Sequence, residues 1–201
     1  HRVLIALPDG PDYVGALFGA LKLGAVVVMA NPGLEPDALA TLVEYTRARV
    51  VVAHRDSPAG VLAARRASRY MKRSVLVGGS EWNRCIGSLS PEFENARTHR
   101  DDPAIWLFSG GTTGSPKAVI QTHRSFAYTT ECYARQVIGY REDDITLAVP
   151  KLYFGYATGS NLFFPFRAGA SSVLFPEPAT PTAVFDLIRR VKPDRKGEIQ
   201  L

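Results

Sequence analysis

Cysteine is scarce, with two in 201 residues, Cys85 and Cys132, and neither belongs to a CxxC pair or has a histidine at ligand spacing. That gives no basis for a disulfide framework or a metal site, and it is consistent with a reducing cytoplasm, the localisation expected. Long apolar runs are also missing: the stretch Leu17 to Ala30 is interrupted by Lys22 and Gly24 and is too short to span a bilayer. No membrane partner is expected. No signal peptide is expected, since His1-Arg2 followed at once by VLIAL reads as a strand entered midway. Internal repeats and low-complexity stretches are absent. There is no concentrated basic run either. Lys and Arg outnumber Asp and Glu by 24 to 19, but Arg65-Arg66 and Arg189-Arg190 fall on candidate amphipathic helices. They read as solvated faces, so nucleic acid is not expected as a partner.

What is present is an ordinary globular composition, 46% hydrophobic and 21% charged, in a chain long enough to bury a substantial core as one large or two small domains. Val3 to Leu7 reads as a buried strand, Asp12 to Leu23 as a helix ending at Gly24, and Ala25 to Met29 as the next strand. Pro36 opens a helix with an apolar stripe that runs to Thr46, and the strand Val50 to Ala53 follows. A helix from about Pro58 to Tyr70 leads to the strand Ser74 to Val77. Gly78 to Asp102 reads as a long connection with at most a short helix, in which Trp82 is a packing anchor. Strand and helix alternating in this way predict an α/β fold, largely parallel sheets flanked by helices.

The segment Phe108 to Lys117, FSGGTTGSPK, concentrates glycines, hydroxyls and one lysine between two short strands, Ala104 to Phe108 and Ala118 to Thr122. Glycines let successive backbone N–H groups turn towards an anion, and the hydroxyls and Lys117 add donors and positive charge. A phosphate loop is one reading and a Gly/Ser-rich hairpin the other. The spacing is not that of a Walker A loop. Beyond it, His123 to Gly139 reads as a helix and Ile145 to Val149 as a strand. His123 has no carboxylate partner in sequence and is assigned a structural role. Pro150 to Ala168, rich in aromatic and small residues, falls at a strand end, where α/β sheets bind ligands. Phe154 and Tyr156 offer flat walls, while Gly155, Ala157 and Gly159 leave room for a planar ring; ordinary core packing is the alternative.

Read whole, FSGGTTGSPK resembles the signature [Y/F]-[ST]-[SG]-G-[TS]-T-G-x-P-K-G of the adenylate-forming superfamily, which includes acyl- and aryl-CoA ligases; Ala118 departs from its last glycine. RVLIALPDGPDYVGALFGALKLGAVVVMANPGL is similar to the superfamily's early structural segment. KLYFGYATGSN resembles its acyl-pocket motif in the wording of benzoate and 2-aminobenzoate CoA ligases in particular. The resemblance implies the large N-terminal domain of such an enzyme. It implies ATP, Mg2+ and coenzyme A as cofactors, and a small aromatic carboxylic acid as substrate. Ser109, Gly110, Gly111, Thr112, Thr113, Gly114 and Lys117 would grip the ATP phosphates, and Phe154, Gly155, Tyr156 and Gly159 would line the substrate pocket. Phe154 takes a place where relatives carry a histidine or another aromatic beside the substrate carboxylate, and Lys151 serves either packing or that carboxylate.

The resemblance covers residues 1–194. At Asp194-Arg195 it jumps, and the tail 195–201, RKGEIQL, resembles a later segment of the same domain, so a gap or deletion is expected before it. Motifs that the superfamily carries elsewhere, including the catalytic lysine of its small C-terminal domain, are absent from this chain, and no catalytic or metal-binding residue is assigned. The expected parent is an AMP-forming aryl-CoA ligase, with the chain by itself inactive. A non-catalytic nucleotide-binding fragment or pseudoenzyme, and an adenylation domain loading a carrier protein, remain as alternatives. The sequence leaves the oligomeric state unknown.

Overall fold

A computed structural model describes residues 1–65, 68–109 and 117–192. The chain alternates β1 (Arg2–Ala6), α1 (Pro11–Lys22), β2 (Val26–Met29), α2 (Pro36–Thr46), β3 (Val50–His54), α3 (Pro58–Arg65), β4 (Arg73–Val77) and α4 (Gly79–Gly87). After an irregular stretch come β5 (Pro103–Ser109) and β6 (Lys117–Thr122). These six strands form one sheet in the order β4-β3-β1-β2-β5-β6, parallel throughout except for the antiparallel pair β5 and β6. The α/β fold with a mainly parallel sheet flanked by helices is therefore the one the alternation predicts.

The central strands read VLIAL, VVVM and VVVA because both of their faces are buried. On one face Ile5, Val27, Val52 and Ile105 pack with Tyr13 and Leu17 of α1; on the other, Leu4, Val28 and Val51 pack with Leu39 and Val43 of α2 and Leu62 of α3. Proline at the first turn of α1 and of α2 supplies the fixed φ a helix start needs. Gly24, two residues beyond the end of α1, has φ +67°, and a Cβ there would meet Ala96 and Thr98, so glycine satisfies both the backbone and the close approach.

The second half is helical. α5 (His123–Thr129) runs on into a π-helical segment, Thr130–Ile138; α6 (Gly155–Thr158) passes through π-helical Gly159–Phe163 into α7 (Phe164–Ala168). A small parallel pair, β7 (Ile145–Leu147) and β8 (Ser171–Val173), packs with α8 (Pro181–Val191). Asn161 links the π-helical segment to that pair, accepting from Thr146 Oγ1 at 2.7 Å and donating to the Val173 carbonyl at 3.0 Å.

Two expectations need correcting. The helix expected to reach Tyr70 does not: Ser68 to Tyr70 form a turn in which the Ser68 hydroxyl accepts from the Tyr70 N–H and donates to Glu44, a local bond that competes with helix. The helix expected from His123 to Gly139 is π-helical over its second half, with Gly139 closing it in the left-handed region at φ +70°. Trp82 does anchor packing, with its ring against the α1 side of the core and its Nε1 donating to Asp12 at 3.0 Å.

Candidate functional site

β1, β2, β3 and β5 run parallel, so their carboxyl ends share one edge, where α/β sheets place their ligands. At this edge β5 gives way to β6, with Ser109 and Lys117 as Cα partners across the hairpin. The expected phosphate-gripping residues Gly110, Gly111, Thr112, Thr113 and Gly114 lie outside the described residues. The two that bracket them are placed: Ser109 ends β5, and Lys117 begins β6 with an exposed side chain. Ala118, where the resemblance expects glycine, pairs with Phe108 inside the ladder and is not at a positive φ, so its methyl meets no backbone strain.

Beside the hairpin lies a cavity of about 290 Å3. Its walls come from β5 (Leu107), β6 (Gln121), α5 and the π-helical turn after it (Ser125, Phe126, Thr129, Tyr133), and the segment Gly155 to Phe164. Three of the four expected pocket residues, Gly155, Tyr156 and Gly159, are in this lining. The two glycines are close approaches: a Cβ on Gly155 would meet Leu107 Cδ1 at 2.6 Å, and one on Gly159 would meet the Phe164 ring at 3.1 Å. Phe154 stands apart, half exposed with its ring tilted on Tyr153 at 4.6 Å, and Ala157 is buried in the core. Ser160 carries the one polar group in the lining that is buried without a hydrogen-bond partner among the described residues, its Oγ. Such an orphan is uncommon in a folded interior.

The turn that leads into α6 is held firmly. Phe154 N–H donates to the Lys151 carbonyl at 2.9 Å. The Leu152 N–H donates to Asp9 Oδ1 at 2.9 Å, and the Leu152 carbonyl accepts from the Tyr13 hydroxyl at 3.1 Å and from Thr158 Oγ1 at 2.6 Å. Asp9 is buried at the end of β1, and burial pushes its carboxyl up to about 6 against the lowering pull of the Leu152 N–H and of Lys151. The Tyr13 hydroxyl is raised by burial and by Asp9. Lys151 donates from Nζ to the Phe175 and Glu177 carbonyls at 2.5 and 2.7 Å, and lies 4.1 Å from the centroid of the Phe175 ring. Its ammonium thus ties this turn to the chain after β8, a packing role. Burial lowers its pKa, with Asp9 and Glu177 opposing.

Sequence reading missed most of the cavity's other walls. Phe126 and Tyr133 fall within the stretch read as one helix, but nothing in the sequence shows that α5 and the π-helical turn after it bring them to a cavity shared with Gly155. Asp9 lies in the short link between the first strand and the first helix and was assigned no role. Its position at a strand's carboxyl end is the one signal that could have marked it. Among the described residues no three His, Cys, Asp or Glu side chains converge on a metal position, and no helix is long and apolar enough to cross a membrane.

The family model described as "AMP-binding enzyme" matches residues 1–194. A benzoate–CoA ligase of Thauera aromatica is 35% identical over 196 residues, which cover 96% of this chain and 37% of that protein. An anthranilate–CoA ligase of Pseudomonas aeruginosa is 29% identical over 197 residues, covering 96% and 38%. The crystal structure of the anthranilate CoA ligase AuaEII in complex with anthranoyl-AMP superposes with a TM-score of 0.88 at 34% identity, covering 96% of this chain and 38% of that one. A benzoate CoA ligase structure from Burkholderia xenovorans gives 0.82 at 30% identity with the same coverage. The chain thus spans little more than a third of the proteins it matches. Its sheet order, its hairpin at the carboxyl edge and a match across almost its whole length agree: the chain belongs to the AMP-binding enzyme family.

Proposed function

We propose that this chain is the phosphate- and aryl-binding part of an AMP-forming aryl-acid CoA ligase. The observation that carries the reading is a shared strand. Leu107 forms a wall of the cavity, and Ser109, two residues on and roughly 7 Å along the strand, opens the expected phosphate loop. An aromatic carboxylate seated in the cavity would therefore lie beside a nucleotide phosphate held by Ser109 to Lys117. In the expected reaction a carboxylate oxygen bonds to the α-phosphorus of ATP as the bond to pyrophosphate breaks. The thiol of coenzyme A then takes the acyl group and AMP leaves. Holding the two reactants in line is the main service a protein renders such a step, and positive charge such as that of Lys117 would offset the charge on the departing pyrophosphate. Magnesium supplies further neutralisation when it is bound with ATP.

The cavity's composition supports an aryl acid. Its volume suits one ring, and Leu107, Phe126 and Phe164 give it apolar walls. The catalytic step needs groups that this chain does not carry, so we propose that the chain acts within a larger enzyme and is inactive by itself. An ATP–pyrophosphate exchange assay of that enzyme with benzoate, 2-aminobenzoate, medium-chain acids and amino acids, with and without coenzyme A, tests the reading. AMP release dependent on aryl acids and coenzyme A is expected. Release with aliphatic acids only would overturn it, and transfer to a carrier protein in place of coenzyme A would move the enzyme to a neighbouring class.

A further inference from the structure

We propose that Asp9 and Tyr13 are positioning residues for the aryl pocket, holding the backbone N–H and carbonyl of Leu152 so that the turn into α6 presents Gly155 and Tyr156 to the cavity. The inference rests on the aryl-ligase reading of that cavity.

α6 opens a helix that continues through π-helical Gly159–Phe163 into α7, and its N-cap residue, Phe154, contributes no side-chain cap. The first N–H groups of a helix have no partner within it, so its entry is set by what holds the residues before it. What holds it comes from elsewhere in the fold. Asp9 follows β1 by three residues and Tyr13 lies in the first turn of α1, so both are carried by a central strand of the sheet and the helix packed on it. Together they take both backbone polar groups of one residue, in the two peptide units that flank its Cα: Asp9 Oδ1 accepts the Leu152 N–H, and the Tyr13 hydroxyl donates to the Leu152 carbonyl, which Thr158 Oγ1 also reaches from the far side of the turn. Leu152 itself is fully buried.

The consequence is geometric. Gly155 lies three residues past the held residue and close enough to Leu107 that no Cβ fits without movement. A rotation of the turn by a few degrees would change that approach, and with it the width of the cavity between Leu107 and Tyr156. Neither Asp9 nor Tyr13 is in the cavity lining, so neither would touch the ring. Their effect would pass through the backbone, and it should show in the binding of the aryl acid before that of ATP.

The test uses Asp9→Ala, Asp9→Asn and Tyr13→Phe in the full-length enzyme. Asp9→Ala should raise KM for the aryl acid about tenfold or more while KM for ATP stays within twofold. Asp9→Asn should recover most of that loss, because an amide oxygen can still accept the Leu152 N–H. Tyr13→Phe, which leaves Thr158 on the carbonyl, should give a smaller rise of about threefold. A general loss of structure would instead move both KM values and kcat together, and that pattern would overturn the proposal, as would an unchanged KM for the acid in a folded Asp9→Ala protein. Hydrogen exchange supplies a readout independent of activity. Amides of residues 152–159 should exchange at least tenfold faster in Asp9→Ala than in wild type, with the strands β1 and β3 unaffected; equal rates would sink the proposal. If wild type activates no aryl acid but the exchange result holds, the clamp stands and the reading of the cavity fails.

Discussion

Lys117 and Asp9 are charged residues in opposite surroundings. The exposed ammonium of Lys117 stands at the mouth of the hairpin, opposite Ser109. Exposed charge contributes little to folding, so Lys117→Ala should leave the denaturation midpoint nearly unchanged while lowering adenylate formation on the order of a hundredfold, the usual cost of one electrostatic donor at a reacting phosphate or oxyanion. Stopped-flow or exchange kinetics would show it, and an undiminished rate would remove the loop from the site. Asp9 carries the reverse prediction. Its carboxyl titrates near 3.8 when unfolded and at about 6 when folded, because burial outweighs the help of the Leu152 N–H and of Lys151; Tyr13 and Tyr153 face it as neutral phenols raised by the same burial. The folded state therefore binds the proton more tightly. Stability from this group is fully present below pH 4 and is lost as pH rises through 6, a change of about 3 kcal/mol. Urea titrations of wild type and Asp9→Asn should thus diverge between pH 4.5 and 7, with the asparagine variant gaining on wild type as pH rises. Parallel curves would show that the carboxyl is not desolvated.

At the level of elements, the two π-helical segments define the site more than the strands do. Phe163 ends the second of them and stacks on Phe126 at 4.4 Å, with Phe18 of α1 edge-on at 5.6 Å. One ring thus joins α1, α5 and the wall of the cavity. Phe163→Ala should cost about 3 kcal/mol, the low end for a phenylalanine truncation because the ring is only partly buried. It should also widen the cavity and raise KM for the aryl acid; calorimetry and steady-state kinetics on the same preparation would report both, and a loss of stability without a change in KM would separate the stack from the site. This level is also where the sequence ceased to be informative. Runs such as VVVM and VVVA mark strands because both faces are buried, and Pro11, Pro36 and Pro181 mark helix starts. A change from α- to π-helical spacing inside Thr130–Ile138 leaves no comparable mark, since it moves side chains around the axis without altering which residues are apolar.

Across the whole molecule, the mainly parallel direction of the sheet was legible from alternation, and the family from motifs far apart in sequence, but the strand order and which residues face each other across the cavity were not, because both depend on tertiary packing. The same view exposes an unfinished side. Among the described residues β6 pairs only with β5, and Val119 and Ile120, which point to opposite faces, are 47% and 52% exposed. Tyr128, Tyr133 and Val137 on the adjoining helix are exposed as well. An edge strand with apolar side chains on both faces is a template for pairing with another chain. The 201-residue chain expressed by itself should therefore self-associate in the micromolar range, seen as a sedimentation coefficient that rises with concentration. Placing charge on the edge with Val119→Lys and Ile120→Lys together should return it to a single concentration-independent species without changing its circular dichroism, since neither residue belongs to a buried cluster. The same pair of changes made in a full-length enzyme should be destabilising, if the sequence beyond this chain covers β6. A chain that stays monomeric at a hundred micromolar without these changes would show that the edge needs no cover.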